Sequence, residues 1–199
     1  MEAIHLEPTD PQYPSRLREQ TSPTPVTALG NLELLEVKPW PAVFCSASCP
    51  GSLILKAHDT AKALVAQGAA VIGGFHSPIE REVQRVLLRG PNPLIVCPAR
   101  GLARMRIPVQ QHKALEEDRL LFLSAFPDSV SRSSEEMAQR RNRFVASFAD
   151  QVLIVHAASG SATERLAQHV LGKGQPLFVL EDEHNAALMR AGAETWPPA

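Results

Sequence analysis

Two groups of basic residues have the composition and spacing of anion-binding segments. The first is RRNR at residues 140–143, and the second is ARGLARMR at residues 99–106. Guanidinium groups form charge-assisted, paired hydrogen bonds with phosphate oxygens, so the two groups together predict a basic rim that binds phosphate or a nucleic-acid backbone. The alternative is that these are solvated surface charges. The candidate ligands are Arg100, Arg104, Arg140, Arg141, Asn142 and Arg143.

Two segments rich in small residues, SASCPGS (46–52) and ASGSAT (158–163), each precede a helical pattern. Small side chains let backbone N–H groups approach a phosphate, and the dipole of the following helix adds to the attraction. Neither segment is a Walker A or a GxGxxG sequence. The alternative is that they only form tight strand-to-helix turns. The candidate phosphate-binding residues in these segments are Ser46, Ser48, Gly51, Ser159, Gly160, Ser161 and Thr163. Gly73 and Gly74, where the predicted strand at 69–74 meets the loop before the helix at 77–90, are further candidates.

The helix that carries the RRNR segment is predicted to begin near Ser133, with Ser133 and Glu136 as a capping box. At 100° per residue, its apolar face includes Met137, Phe144, Val145 and Phe148. Arg141 falls on the same face. Because a charged group on an inner face needs a partner, Arg141 either pairs with a carboxylate inside the fold or reaches an external anion. Both outcomes are open at this point.

Short apolar runs alternate with helical patterns from residue 42 onward. The runs are apolar throughout, which indicates strands that are buried on both faces. Their alternation with helices predicts an α/β fold with three layers, a Rossmann-like, doubly wound and mainly parallel sheet. The candidate loops follow its strands, where such sheets bind ligands. Predicted strands cover 42–46, 69–74, 93–98, 119–126, 151–157 and 176–180, and predicted helices cover 52–68, 77–90, 109–117, a segment from 133 and 161–173.

Residues 1–41 have a different composition from the rest of the chain. Prolines occur at positions 8, 11, 14, 23, 25, 39 and 41. This frequency predicts an irregular leader that lies against the core, with one short helix near residues 32–35. The predicted organisation is therefore a proline-rich leader over 1–41 and a single Rossmann-like domain over 42–199.

The overall composition is that of an ordinary globular protein. Of the 199 residues, 44% are hydrophobic and 21% are charged, and the net charge is −1. Any polyanion site must therefore be a local patch. No window approaches eighteen apolar residues and the N-terminus does not resemble a signal peptide, so we expect a cytoplasmic location and no membrane partner. The number of cysteines is odd, which argues against a disulfide framework. We expect Cys45, Cys49 and Cys97 to be buried thiols without a metal.

Several motifs along the chain resemble the DprA/Smf family of DNA-processing proteins, whose core is a Rossmann domain related to the SLOG and LOG domains. YPSRL followed by Pro25 and LGN is similar to the start of that family. AVFCSAS, VIGGFHSPIEREVQ and SAFP resemble three of its internal motifs. The most specific match is RRNRFVASFADQVLIVHAASGSATE, which combines Arg141-Asn142-Arg143 with the Ser159-Gly160-Ser161 loop.

This resemblance implies a single-stranded DNA-binding protein that loads a RecA-type recombinase in transformation and recombination, without catalysis or cofactor. It also implies a possible homodimer. The chain departs from the family pattern at several positions. Ala47 stands where the family has a DNA-contacting arginine, Cys45 replaces a glycine, Glu80 and Gln84 replace an aspartate and a histidine, and His156 replaces a glutamate.

Two other functions are compatible with these departures. One is a SLOG-type protein that binds a nucleotide or a nucleotide derivative without turnover. The other is a LOG-like nucleotide phosphoribohydrolase, in which Glu164 would act as a general acid or base. The ordinary alternative for Glu164 is a first-turn acid that the helix dipole stabilises. No G-x-S-x-G elbow or spaced Asp–His pair is present.

Overall fold

A mainly parallel sheet forms the centre of the molecule. The structure is a computed structural model and describes residues 2–19, 23–37, 39–103 and 105–197. Within these ranges the sheet has nine strands in the order β1-β2-β6-β5-β4-β3-β7-β8-β9. The strands are β1 (Ile4–Leu6), β2 (Val26–Gly30), β3 (Pro41–Cys45), β4 (Val71–Gly73), β5 (Leu94–Val96), β6 (Leu120–Ser124), β7 (Gln151–His156), β8 (Leu177–Val179) and β9 (Glu194–Thr195).

Helices connect the parallel strands and cover both faces of the sheet. They are α1 (Ser15–Arg18), α2 (Gly51–Ala66), α3 (Pro78–Arg89), α4 (Val109–Glu116), α5 (Glu135–Phe148), α6 (Ala162–Gly172) and α7 (Ala186–Arg190), with 3₁₀ helices at Leu32–Glu36 and Glu183–Asn185. The predicted strands and helices from residue 42 onward are confirmed, with ends that differ by at most two residues. Within the described ranges, no helix combines the length and apolar character needed to cross a membrane.

Side-chain alternation along the strands divides the core into two apolar clusters. In β7, Ile154 packs into the cluster formed with α5 and α6, whereas Leu153 and Val155 pack into the cluster formed with α2, α3 and α4. Each parallel strand is buried on both faces because successive side chains point to opposite sides. The three-layer, Rossmann-like α/β arrangement that the sequence predicts is confirmed.

Capping residues set where two of the helices begin. Ser77 accepts a hydrogen bond from the Glu80 amide, and the Glu80 carboxylate accepts one from the Ser77 amide, so the capping box starts α3 at Pro78. The prediction for α5 was wrong by one residue. Its N-cap is Ser134, which accepts from the Met137 amide at 3.2 Å.

The leader is more regular than the sequence predicts. Strands β1 and β2 extend the sheet by antiparallel pairing, with β2 against β6. The expectation of an irregular segment was wrong here because backbone pairing with β6 does not require strong local strand propensity. The short helix expected at 32–35 is present as a 3₁₀ helix. The division into a leader over 1–41 and a domain over 42–199 stays a prediction.

The order of the strands reverses between β3 and β7. From β3 the chain moves through β4 and β5 to β6 on one side, and it then crosses to β7 and β8 on the other. The loops that follow β3 and β7 therefore diverge at a topological switch point, where open α/β sheets form ligand-binding crevices. These loops contain the two small-residue segments.

Asp150, at the start of β7, ties the end of the leader to the core. Its carboxylate accepts a hydrogen bond from the buried Trp40 amide at 2.8 Å and forms an ion pair with Arg16. The Arg16 guanidinium also lies 5.1 Å from the centre of the Trp40 ring. One carboxylate thus supports both a backbone N–H and a cation of the leader.

Replacing Asp150 by Ala should lower the free energy of unfolding by about 1–3 kcal/mol, because the buried Trp40 amide loses its acceptor. Asp150→Asn is the matched control, since it retains an acceptor oxygen and loses only the charge opposite Arg16. We expect a smaller loss for the Asn variant in urea unfolding. Equal stability of both variants and the wild type would contradict this role for Asp150.

Candidate nucleic-acid interface

The two small-residue loops meet at the switch point. The Ser46 hydroxyl donates to the Ser161 hydroxyl oxygen at 3.2 Å and accepts from the Ala158 amide at 3.0 Å. The Ser46 amide donates to the His156 carbonyl at 2.9 Å. The loop after β3 and the loop after β7 are therefore one connected structure at the carboxyl edge of the sheet.

The loop after β7 holds a carboxylate of its own. The Gly160 amide donates to Glu164 Oε2 at 2.7 Å, and the Ser161 hydroxyl caps α6 by accepting from the Glu164 amide at 3.1 Å. The Ser161 amide is bonded to the Ala158 carbonyl. Glu164 thus occupies the position at this helix N-terminus that an external phosphate would take. The Gly160, Ser161 and Glu164 amides of the predicted anion loop are therefore bonded within the chain.

A second carboxylate lies beside the start of α2. Asp182 accepts hydrogen bonds from His184 and from Ser52 in the first turn of α2, and Lys56 Nζ lies 3.1 Å from Asp182 Oδ2. The hydrogen bonds from His184, followed by that from Lys56, hold the pKa of Asp182 well below its usual range. Ser48 and Gly51 remain exposed beside it.

A third carboxylate, Glu80, is buried under the carboxyl ends of β3 and β4. Its two oxygens accept from the Cys45 amide at 2.9 Å and from the His76 amide at 2.8 Å. The acidic side chain of this motif therefore has a structural role that links β3 to the N-terminus of α3. A buried carboxylate that is fully hydrogen-bonded to backbone amides has a large part of its desolvation cost offset.

Arg141 lies on the inner face of α5, as predicted, and is 3% exposed. Its guanidinium donates to the Cys97 carbonyl at 2.8 Å and to Asn142 Oδ1 at 2.7 Å. The Cys97 carbonyl, just after β5, is a partner that neither of the two sequence hypotheses named. Burial lowers the pKa of Arg141, and the charge of Glu80 opposes this effect. The guanidinium stays cationic at the carboxyl edge of the sheet.

Gly74 leaves the space that Arg141 needs. A Cβ at this position would overlap the guanidinium carbon and nitrogens of Arg141. Gly74 and Arg141 together line a small cleft of about 150 Å³, with His76, Arg100 and Ser133 around it. We call this the edge cleft. The family resemblance placed Gly74 and Arg141 in separate motifs, and the structure brings them into contact.

Arg140 and Arg143 are exposed on the outer side of α5. The Arg140 guanidinium lies 5.3 Å from the centre of the Phe126 ring, which is a cation–π distance. Both arginines line a groove of about 840 Å³ that also includes Phe144, His169 and Lys173. An adjoining cavity of about 350 Å³ shares Arg143 and His169 and adds Asn142 and Arg165. We call the two cavities together the α5–α6 groove.

Cationic side chains of the α5–α6 groove affect the pKa of His169, which lies among them. Partial burial lowers the pKa of His169, and the positive charges of Lys173 and Arg143 lower it further. Arg165 donates to the Gly160 carbonyl at 2.7 Å, so its guanidinium connects the groove to the loop after β7. Sequence analysis did not identify Arg165 or Lys173. Arg165 lies in α6 and Lys173 caps its C-terminus. Their closeness to α5 could not be predicted from the sequence, because it depends on how α6 packs against α5.

The remaining predicted residues are spread over the carboxyl edge. Arg100 is half-buried, and its carbonyl accepts from the Ser124 hydroxyl at 2.7 Å. Thr163 is buried in α6, Ser159 is exposed, and a Cβ at Gly73 would lie 3.0 Å from the Phe75 ring. Arg104 lies outside the described residues. Arg140 and Arg143 therefore share one surface, whereas Arg100 and Arg141 share another.

The cysteines behave as structural thiols. Cys45 and Cys97 are buried, as expected, and Cys49 is half-buried. Burial raises the pKa of Cys97 to about 12, so its thiol is protonated and unreactive at neutral pH. Among the described residues, no group of three or more His, Cys, Asp and Glu side chains is placed to hold a metal ion.

Solved structures of two DNA-processing proteins share this fold. DprA from Streptococcus pneumoniae has a TM-score of 0.81 and 19% identity over 96% of this chain and 70% of its own. DprA from Helicobacter pylori, described by its single-stranded DNA binding mode, has a TM-score of 0.79 and 20% identity over 99% and 92%. A molybdenum cofactor binding protein from Rippkaea orientalis is more distant, with a TM-score of 0.55 and 12% identity over 80% and 89%. No curated protein shows significant sequence similarity to the chain.

The strand order and the loops at the switch point define a Rossmann-like α/β protein with basic surfaces at one edge of the sheet and on α5. The family model for DNA recombination-mediator protein A matches residues 5–196. The chain belongs to this family. The resemblance that the motifs indicated is confirmed, and a role of the family in DNA processing and recombination comes with it.

Gly74→Ala and Arg141→Ala should each destabilise the protein, and their effects should not add. The new methyl group displaces the guanidinium from the Cys97 carbonyl, at a cost of about 1–3 kcal/mol. In the Arg141→Ala background this overlap is absent, so Gly74→Ala should cost little. A double-mutant cycle from urea unfolding should give a coupling of about 1 kcal/mol or more. Additive effects would show that the two residues act independently.

Glu164→Gln should make the loop after β7 more accessible to anions. The neutral amide still offers an oxygen to the Gly160 amide but removes the negative charge from the α6 N-terminus. Binding of a nucleic-acid strand near this loop should become tighter, while Glu183→Gln, at an exposed carboxylate in the 3₁₀ helix before α7, should change it less. Anisotropy of a labelled strand measures both. Weaker binding by Glu164→Gln would show that Glu164 does not compete with phosphate.

Proposed function

We propose that the chain binds single-stranded DNA in recombination, with the α5–α6 groove as its main contact surface. Membership in the DNA recombination-mediator protein A family and the binding mode named for the Helicobacter pylori relative support this proposal. The observation that carries it is the groove itself. Four cationic side chains and the edges of aromatic rings line one continuous surface, namely Arg140, Arg143, Arg165, Lys173, Phe126 and Phe144.

Charge in the groove favours a polyanion although the whole chain carries −1. Arg16 and Asp150, which both line the groove, form an ion pair with each other. Of the other carboxylates, Glu19 is the one that lines the described groove. The four cations therefore exceed the unneutralised carboxylates, and a strand that contacts them releases condensed counterions.

Aromatic and arginine surfaces in the groove suit unpaired bases. Phe144 is half-buried and stacks on Phe148, with their ring centres 6.2 Å apart, and Arg140 lies over Phe126. Bases of single strands stack on aromatic rings and on guanidinium planes without sequence preference. The chain has one Tyr and two Trp, so stacking contributes less here than the phosphate contacts do.

The small-residue loops have a supporting role in this proposal. Glu164 accepts from one amide of the loop after β7, and Asp182 places a negative charge beside the start of α2, so in this proposal the phosphates are bound chiefly by arginine side chains. Glu164 is hydrogen-bonded to the Gly160 amide, which favours a structural role over the acid–base role that a phosphoribohydrolase would need. The family resemblance also implies a RecA-type recombinase as partner and a homodimer, and both belong to the proposal.

The test is fluorescence anisotropy of a labelled single strand of about thirty nucleotides at several salt concentrations. For wild type, the affinity should fall steeply as salt rises. In Arg140→Ala/Arg143→Ala, the affinity should fall and the slope of log Kobs against log [salt] should decrease by about 0.7 for each lost phosphate contact. Arg100→Ala tests the edge cleft in the same assay.

Arg89→Ala is the matched control, because Arg89 is an exposed arginine in the last turn of α3. It should bind the strand as the wild type does. Thermal unfolding of every variant separates a lost contact from a lost fold. Binding that does not depend on salt, or a double variant with an unchanged slope, would refute the α5–α6 groove as the DNA surface.

A further inference from the structure

A second cleft lies on the opposite side of the sheet, between α3 and α4 at the carboxyl ends of β4 and β5. Its volume is about 270 Å³, close to the lower limit of about 300 Å³ for small-molecule sites. Gln84 from α3 and Gln111 from α4 both line it. We call it the α3–α4 cleft. It belongs to the layer of α2, α3 and α4, whereas the α5–α6 groove belongs to the other layer.

Two side-chain amides of this cleft are incompletely hydrogen-bonded. Gln84 is 6% exposed and Gln111 is 5% exposed. Gln84 Nε2 and Gln111 Oε1 have no hydrogen-bond partner among the described residues. One is a donor and the other is an acceptor. A buried amide atom without a hydrogen-bond partner lowers the free energy of unfolding by about 1–3 kcal/mol. Two such atoms on residues that line the same small cleft therefore need an explanation.

Gln84 Nε2 and Gln111 Oε1 are enclosed, so a bound molecule can reach these amide groups only if the end of each side chain turns. Rotation about the last side-chain bond of glutamine exchanges its oxygen and its nitrogen, so either atom can turn toward the cleft. A ligand with a neighbouring acceptor and donor would then bond to both glutamines. The edges of nucleobases carry such donor and acceptor pairs.

The walls and the mouth of the cleft define the rest of the ligand. Apolar side chains of Leu88, Val96, Met105 and Phe122 line the walls, and these suit a flat heterocycle. Arg81, Arg100 and Arg106 also line it, and Arg81 and Arg106 are exposed. Arg85, the fourth arginine, is paired with Glu82. A heterocycle with a phosphate attached matches apolar walls, an amide pair and unneutralised guanidinium groups.

We propose that the α3–α4 cleft is a nucleotide-binding site. The base lies between the apolar walls with its edge on Gln84 and Gln111, and the phosphate lies toward Arg100 and Arg106. The nucleotide comes either as a free mononucleotide or as one nucleotide of a bound strand. Arg100 and Gly74 line both this cleft and the edge cleft, which gives a strand a path between them.

Thermal unfolding with dAMP, dCMP, dGMP or dTMP tests the first source, and inorganic phosphate serves as the anion control. At a concentration of one hundred times Kd, the preferred nucleotide should raise Tm by about 5–10 °C. Gln84→Met and Gln111→Met keep the side-chain length and remove the amide. Each should weaken nucleotide binding about tenfold and leave the Tm of the free protein unchanged or higher. Gln67→Met, at the exposed C-terminal end of α2, should retain the full shift.

The second source is tested with a strand that carries abasic sites. Wild type should bind the intact strand more tightly than the abasic one, and Gln84→Met and Gln111→Met should lose this preference. Arg140→Ala/Arg143→Ala should weaken binding of both strands equally, which separates this cleft from the α5–α6 groove. The mononucleotide arm remains decisive even if the chain binds no DNA.

Three results would overturn the proposal. The first is a Tm shift that inorganic phosphate alone reproduces in full. The second is a nucleotide shift that both glutamine variants retain. The third is no shift with any mononucleotide, together with glutamine variants that discriminate intact from abasic strands as the wild type does.

Discussion

The buried guanidinium of Arg141 holds the carboxyl edge of the sheet together. It reaches from α5 across Gly74 to the Cys97 carbonyl. In this way it joins the loops that follow β4 and β5 to the helical layer that contains α5 and α6. Glu80 lies close enough to favour its charged form and is itself bonded to the end of β3. A buried cation of this kind is tolerated only with fixed partners, so Gly74, Cys97 and Glu80 are constrained together.

Internal carboxylates decide which groups remain for a ligand. Glu164, Asp182 and Glu80 each lie at or beside the N-terminus of a different helix and accept hydrogen bonds there. Glu164 and Glu80 use backbone N–H groups of their loops, whereas Asp182 is bonded to the Ser52 side chain beside α2 and to the His184 amide. Among the described residues, Arg140, Arg143 and Lys173 form no ion pair with a carboxylate, which is why the proposed function assigns the phosphates to the groove instead of the loops.

Much of the fold could be predicted from local sequence, and less of the site. Continuous apolar runs that alternate with helical patterns predicted the parallel core, because burial of a strand on both faces is visible in its local sequence. Strands β1 and β2 were missed because their pairings are non-local: β2 pairs with β6, and β1 pairs with β2. The helical period placed Arg141 on the inner face, but its carbonyl partner lies 44 positions away. Arg165 and Lys173 join Arg140 only through the packing of α6 against α5.

The two basic surfaces differ in volume and in lining, and the two proposals assign them different ligands. The α5–α6 groove takes its cations from two helices, which suits a chain of phosphates better than one phosphate. The α3–α4 cleft is about a third as large as the main cavity of that groove and has apolar walls, so it fits one base. A chain with a net charge of −1 can hold both because its acidic residues are used at helix ends or lie elsewhere on the surface. The positive charge that both proposals require therefore depends on local geometry and not on the overall charge of the chain.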